Sequence, residues 1–345
     1  MPELIGSLAG LEQLRSQWEE LYRSCAGATP FQSPAWLLPW ARQFAPDRLM
    51  AVAVREQGAL VALLPFFVWR NRLLLAGAGP TDYCDGLFAG NGCWADEALA
   101  MLADYADELG CECIELQQLS PQSPLLNAAL PGQWVSEVAE GIVCPVTTLA
   151  AEDALGAVSP KWRRNVARSR NKLSKAAHFK LDCASTSLSP GAAAELTRLH
   201  AARWEQRHRR GVFANPRMSR FLTSALPDLS QAGLLRLHTL SVDSGPIAML
   251  FALHNGGMTC YYIGGFDPQW AIYSPGNIIL EAAMLQAARD GATEFHFLRG
   301  SESYKYHFGA KDRPTFNRLL VPSNLARRAW RRVASHRLFA TGADR

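Results

Sequence analysis

Two stretches of this 345-residue chain carry the same signals in the same order, and that internal echo limits its possible folds more than any other feature. An early helical stretch holds Trp18-Glu19 in the first half and Trp204-Glu205 in the second. Phe31-Gln32-Ser33-Pro34 is matched by Phe213-Ala214-Asn215-Pro216. Strand-like residues then flank a turn at Gly58 and again at Gly245. Tyr83 to Phe88 stands where Tyr262 to Phe266 stands, and both halves continue with a helical stretch ended by a glycine, Gly110 or Gly291. A short strand follows each. The spacings agree loosely: 27 against 32 residues from the phenylalanine to the hairpin glycine, and 24 against 26 between the later glycines. Short strands and glycine turns are common enough for single matches to arise by chance, so the shared order carries the reading. It predicts an α/β chain of two similar units, each a mixed β-sheet flanked by helices.

Length agrees, since about 150 residues per domain suggests two. With 48% hydrophobic and 19% charged residues the chain builds a substantial core and is not disordered. Its longest apolar run, Leu60 to Val68, is of strand length, so no transmembrane helix is expected. The start lacks a basic segment and a long apolar core, and Glu3 and Glu12 come early. This argues against a signal peptide and for a cytoplasmic location. Eight scattered cysteines without a C-x-x-C pair read as reduced thiols. Neither they nor the eight histidines show metal-ligand spacing, so no metal is expected. A G-x-S-x-G elbow and a P-loop are both missing.

Charge is unevenly spread. Residues 1–150 hold seven Arg, no Lys and 17 Asp and Glu, a net −10, whereas the remainder sets 28 Lys and Arg against 14 Asp and Glu, a net +14. That asymmetry points to a polyanionic partner: nucleic acid, an anionic membrane surface or a phosphate-rich cofactor. Much of the charge lies on one expected helix, capped by Ser159 with Pro160 at its first position. It carries Lys161, Arg163, Arg164, Arg168, Arg170, Lys172 and Lys175 and no acid. A solvated amphipathic face explains it as well as an anion site does. A second basic helix is expected at 325–337.

Chemistry concentrates in 259–310. Thr259 to Gly264 is β-rich, and Tyr273-Ser274-Pro275-Gly276 precedes a helical stretch. A strand, a short loop and a helix start form an anion site, because free backbone N–H groups and the helix dipole favour negative charge there. The same four residues also read as a capped helix start, Ser274 as N-cap, that needs no ligand. The next strand, Glu294 to Leu298, runs into Arg299, Glu302, Tyr304 and Lys305, at the strand end where α/β sheets tend to bind ligands. These four also suit an exposed polar turn.

Taken together, FQSPAWLLPW (31–40), KWRRNVARSRNKL (161–173), HAARW (200–204), GPIA (245–248), Tyr273 to Gly276 and FLRGSESYK (297–305) resemble the tandem-GNAT acyltransferases of the CelD/BcsL type, relatives of the Fem peptidyltransferases. The resemblance spans about residues 10–320. It implies a GNAT-like unit at 1–150, a basic connecting helix and strand at 151–180, a second unit at 181–322 that binds acyl-CoA, and a basic C-terminal helix and tail at 323–345. It also implies transfer of an acetyl or other acyl group from CoA to an amine or hydroxyl, on a small-molecule or saccharide acceptor such as an envelope or exopolysaccharide precursor. A Fem-like reading replaces CoA with aminoacyl-tRNA, and a third makes the basic helix an RNA-binding element with Trp162 stacking a base. The usual Q/R-x-x-G-x-G/A pyrophosphate loop is absent, and His296 stands where the family tends to have Asp. Gly90-Asn91-Gly92-Cys93 is a poor substitute for Ser-Pro-Gly, which points to an N-terminal unit without a cofactor site.

On this resemblance the pyrophosphate lies against Tyr273, Ser274, Pro275, Gly276 and Asn277, and the pantetheine against the splayed strand at Tyr261, Tyr262 and Ile263, whose backbone also faces the oxyanion. Cations of 161–175 neutralise cofactor phosphates. Glu302 is the first candidate for general base and Asp267 the second, Tyr304 protonates the leaving thiolate, and Arg203, Trp204, Arg299 and Lys305 hold the acceptor.

Overall fold

The computed structural model describes residues 1–324 except 46, 47, 91, 92, 187, 207 and 209. The basic helix expected at 325–337, the rest of the tail, and Asn91-Gly92 lie outside the described residues. The chain divides into unit 1, Met1–Ile142 with residues 314–324, and unit 2, Val143–Arg313.

Unit 1 runs β1 (Pro2–Ile5), α1 (Leu8–Gln13), α2 (Arg15–Ser24), α3 (Pro34–Phe44), β2 (Leu49–Glu56), β3 (Ala59–Trp69), β4 (Arg72–Leu75), β5 (Leu87–Phe88), α4 (Trp94–Glu108), β6 (Cys113–Leu119) and β7 (Trp134–Glu140). Unit 2 runs β8 (Val146–Thr148), α5 (Pro160–Ala176), β9 (Phe179–Ala184), α6 (Ala192–Glu205), α7 (Pro216–Gln231), β10 (Leu235–Val242), β11 (Gly245–Asn255), β12 (Met258–Phe266), α8 (Pro275–Arg289), β13 (Glu294–His296) and α9 (Ser303–His307). The chain then adds β14 (Phe316–Pro322) to unit 1, between β6 and β7.

The echo in the sequence is an echo in the sheets. Unit 1 has the order β1-β2-β3-β4-β6-β14-β7 and unit 2 the order β9-β10-β11-β12-β13-β8. In both, the first four strands are antiparallel, the next pairs in parallel, and the sixth is antiparallel again. The parallel step needs a crossover, which α4 and α8 supply. Both hairpins turn where the sequence puts glycine: Gln57 and Gly58 have φ of 50 and 88, and Gly245 has φ of 116. The two cores form where helix faces meet apolar strands, Ala98, Leu102 and Ala106 of α4 on β2–β3, and Ile279, Ala283 and Ala287 of α8 on β11.

The expected boundaries need correction. The helix and strand expected at 151–180 form as α5 and β9, but they belong to unit 2 rather than connect two units: β9 is the edge strand of the second sheet, and α5 packs on α8 with Val166 and Leu173 buried. Nor does unit 2 extend to 322, because β14 pairs with β6 and β7. Strand pairing is settled by long-range partners, which no local pattern reveals.

Candidate functional site

β12 and β13 pair only over Met258–Cys260 and Glu294–His296. Beyond Cys260 they part, so β12 from Tyr261 to Phe266 keeps β11 on one side and, among the described residues, has no strand on the other. The bulge at Tyr262, where the register slips between Phe251 and Ala252, bends the strand there. Gly264 and Gly265 follow. A Cβ on Gly265 would collide with the backbone of Leu199 and His200, so this glycine admits α6 against the strand.

Two clefts flank the parted edge. The first, about 260 Å3, is lined by Gly264, Gly265 and Phe266 of β12, Ala271, Ser274, and Gly276 and Asn277 of α8. The second, about 430 Å3, is lined by His200 and Trp204 of α6, Tyr262 and Ile263 of β12, Phe297 to Arg299, and Glu302 to Lys305. Arg203, Tyr261, Gly264 and Tyr304 line both.

At the start of α8, Ser274 is left-handed (φ 51, ψ 52) and its side chain makes no capping bond, so the capped reading of this segment is corrected. Its carbonyl instead accepts from Asn277 N–H at 3.0 Å and Ile278 N–H at 3.3 Å. Pro275 has no N–H. The backbone donor left for an anion is Gly276 N–H, with the positive end of the helix dipole behind it. A Cβ on Gly276 would stand 3.5 Å from the Phe266 ring, an ordinary contact. A serine in the left-handed region is uncommon, and such residues concentrate at functional sites. Leu298, at φ 58 beside the second cleft, is another.

Lys305 is not a free cation. Its ammonium, 2% exposed, donates to the carbonyls of Leu298 (3.1 Å), Arg299 (2.9 Å) and Gly300 (3.0 Å) and pairs with Glu302 at 2.8 Å. It holds the loop after β13 rather than an acceptor, which corrects its expected role. Glu302, half-exposed, is the one carboxylate among the described residues that line the clefts. Asp267 lies in neither: it caps the 3-10 turn Pro268–Tyr273 by accepting from Gln269 N–H at 2.9 Å. Tyr273 and Pro275 also lie outside both, Tyr273 turning its ring to Trp270 and to the Lys172 ammonium. Burial, with Tyr261 and Glu302 beside it, pushes the Tyr304 phenol well above the usual range, so it stays protonated.

His200 received no role from the sequence, although its i,i+4 spacing to Trp204 already placed both on one helix face. The Trp204 indole donates to His200 Nε2 at 2.8 Å, and the imidazole is 1% exposed. Burial and nearby Arg203 pull it down to about 4. Arg203 itself packs its guanidinium over Phe266, 5.4 Å from the ring centre. On α5, Arg170 binds Glu281 at 2.7 Å and Lys172 the Ile272 carbonyl at 3.4 Å. Trp162 stacks on His307 at 4.3 Å. It is therefore not offered to a base.

The counterpart cleft in unit 1, about 180 Å3, is lined by Cys25, Gln32, Asp85, Ser123 and neighbours, with no cation among them. Burial lifts Asp85 to about 7, against hydrogen bonds from Ser123 and the Gly86 N–H.

Residues 160–306 match the family model described as an acetyltransferase (GNAT) domain. Unit 2 thus carries a domain of the GNAT acetyltransferase type. Among solved structures the chain is similar to one described as FemX, with 12% identity over 88% of this chain and 95% of that one and a TM-score of 0.63. It is also similar to the C-terminal domain of a putative lysylphosphatidylglycerol synthetase from Agrobacterium fabrum, with 11% identity, coverage of 89% and 92%, and a TM-score of 0.59. The structure described as L-PGS from Bacillus licheniformis compares at 11% identity, coverage of 90% and 91%, and a TM-score of 0.58. At these identities the likeness is one of fold alone. No curated protein matches the chain. None of the described helices is long and apolar enough to cross a membrane.

Proposed function

We propose that unit 2 transfers an acyl group from acyl-CoA to an amine or hydroxyl on a small-molecule or saccharide acceptor, as the CelD/BcsL resemblance implies. The observation that carries it is the unpaired edge of β12, which leads from the start of α8 to the Tyr304 phenol. An extended chain bearing amides pairs with such an edge as a strand would. Gly276 N–H and the α8 dipole hold the pyrophosphate, and Arg203 adds a cation where the clefts join. The thioester supplies the activated acyl carbon. Glu302, at the second cleft, takes the proton of the attacking acceptor, and Arg299 and Trp204 orient that acceptor. Tyr304, kept protonated, hands its proton to the departing sulfur. Backbone N–H groups near Ile263 face the oxyanion. In unit 1 a polyanion would meet Asp85 and no cation, which supports a cofactor site in unit 2 alone.

The test is the melting temperature in acetyl-, malonyl- and long-chain acyl-CoA. At 100-fold excess over the dissociation constant, binding adds about 2.7 kcal/mol of stability. Flat melting curves across all three remove CoA as donor. The fold shared with FemX keeps a second reading open, in which the donor is aminoacyl-tRNA. A gel shift with charged tRNA, without any CoA effect, selects it.

A further inference from the structure

The cations of α5 are not spread around the helix. Lys161, Arg164, Arg168, Lys172 and Lys175 follow steps of three, four, four and three residues. At 3.6 residues per turn they form one stripe about 80° wide and about 21 Å long. All five are exposed. Among the described residues, Lys161, Arg164, Arg168 and Lys175 form no ion pair. The opposite face is spent on packing, through Val166 and Leu173. The stripe meets the cleft at Lys172, whose ammonium holds the carbonyl of Ile272. Ile272 is 65% exposed, more than any other large apolar side chain described except Met1. Its chain neighbour Ala271 lines the first cleft, as does Ser274.

We propose that the α5 stripe and Ile272 dock unit 2 on an anionic lipid bilayer, with the mouth of the first cleft facing the surface. This deepens the acyltransferase reading and rests on it only for what docking achieves: an acceptor or acyl chain carried by the membrane reaches the cleft directly. Clustered Lys and Arg meet anionic headgroups, and an exposed aliphatic tip beside them enters the interface. A nucleic acid would satisfy the cations but would leave Ile272 uncovered. It would also find Trp162, the aromatic side chain of α5, already stacked on His307.

The full chain is sedimented with phosphatidylcholine vesicles with and without phosphatidylglycerol, over a range of salt. Binding to the anionic vesicles alone, weakening as salt rises, is expected. The triple variant R164E/R168E/K175E should lower partitioning by on the order of a hundredfold or more, and Ile272→Asp should lower it separately. Both variants should melt as wild type does. Equal partitioning to both vesicle types, no partitioning, or an unaltered triple variant overturns the proposal. So does retention of RNA without vesicle binding. Loss of the acetyl-CoA shift in the triple variant also overturns it, since the stripe would then hold cofactor phosphates. Vesicle binding with no acetyl-CoA shift in wild type overturns the donor assignment instead and leaves the docking surface standing.

Discussion

An indole N–H can only donate, so the Trp204–His200 bond decides the tautomer of a buried imidazole: Nε2 accepts and Nδ1 carries the proton. With its acidity shifted to about 4, His200 is neutral near pH 7, and its basic nitrogen is already engaged. It therefore shapes the second cleft without acting as a base there. Tyr304 is different, since burial keeps its proton in place at the junction of the clefts. Tyr304→Phe should slow thiol release from acetyl-CoA by about 10²–10⁴-fold while leaving CoA affinity within a few-fold. Unchanged turnover would remove the phenol from the reaction. Tyr304 and Glu302 were legible in the sequence because polar residues crowd the end of a strand. Lys305 was misread for a physical reason: a lysine in a polar turn and a lysine clamping three carbonyls look alike until the left-handed Leu298 turns those carbonyls inward.

Among elements, the contact of α6 with β12 sets the clefts. Gly265 brings the helix onto the strand, and the same helix delivers His200, Arg203 and Trp204. Gly265→Ala should cost about 1–3 kcal/mol in chemical denaturation, because the new methyl meets backbone that cannot rotate away. It should also lower CoA affinity as α6 is pushed off the strand. A variant as stable as wild type, with full affinity, would show that the close approach is dispensable. Gly265 stood in the sequence as part of the repeat, but its purpose depends on a helix some 60 residues earlier in the chain. The same repeat made the hairpins, α4, α8 and the mixed character of the sheets readable. The parting of β12 from β13 was expected only through the family resemblance, because a strand's missing neighbour leaves no mark in its own residues.

In the whole molecule the two units answer pH with opposite sign. Burial pulls His200 and His238 of unit 2 down to about 4 from the ordinary 6.5. Between those values the unfolded state binds protons that the fold refuses, so unit 2 loses stability as pH falls through that window, at about 1.4 kcal/mol per pH unit for each histidine at most. Asp85 of unit 1 runs the other way. Its folded value of about 7 lies above the ordinary 3.8, so unit 1 loses stability as pH rises between them. Calorimetric scans at pH 7.5 and 5.5 should therefore draw the two transitions apart in opposite directions, with H200Q/H238Q weakening the response of unit 2, to which His254 and His296, also lowered by burial, add with the same sign. Shifts of both transitions in one direction would contradict this. That the sequence is two units could be read from the repeat. That the chain returns with β14 to complete the first sheet could not, since 316–322 is an ordinary strand pattern whose partners lie some 180 to 200 residues away.

In the proposed reaction unit 2 takes a CoA thioester against the start of α8 and the open edge of β12. Calorimetric titration of acetyl-CoA into the wild type and into Gly276→Glu tests it most directly. A carboxylate at 276 adds bulk and like charge where the phosphates approach the backbone, while the room around Gly276 lets the fold persist. One site per chain is expected in the wild type, and a variant that melts as the wild type does yet shows no measurable heat of binding. Equal affinity in the two proteins, or no binding by the wild type, would contradict it.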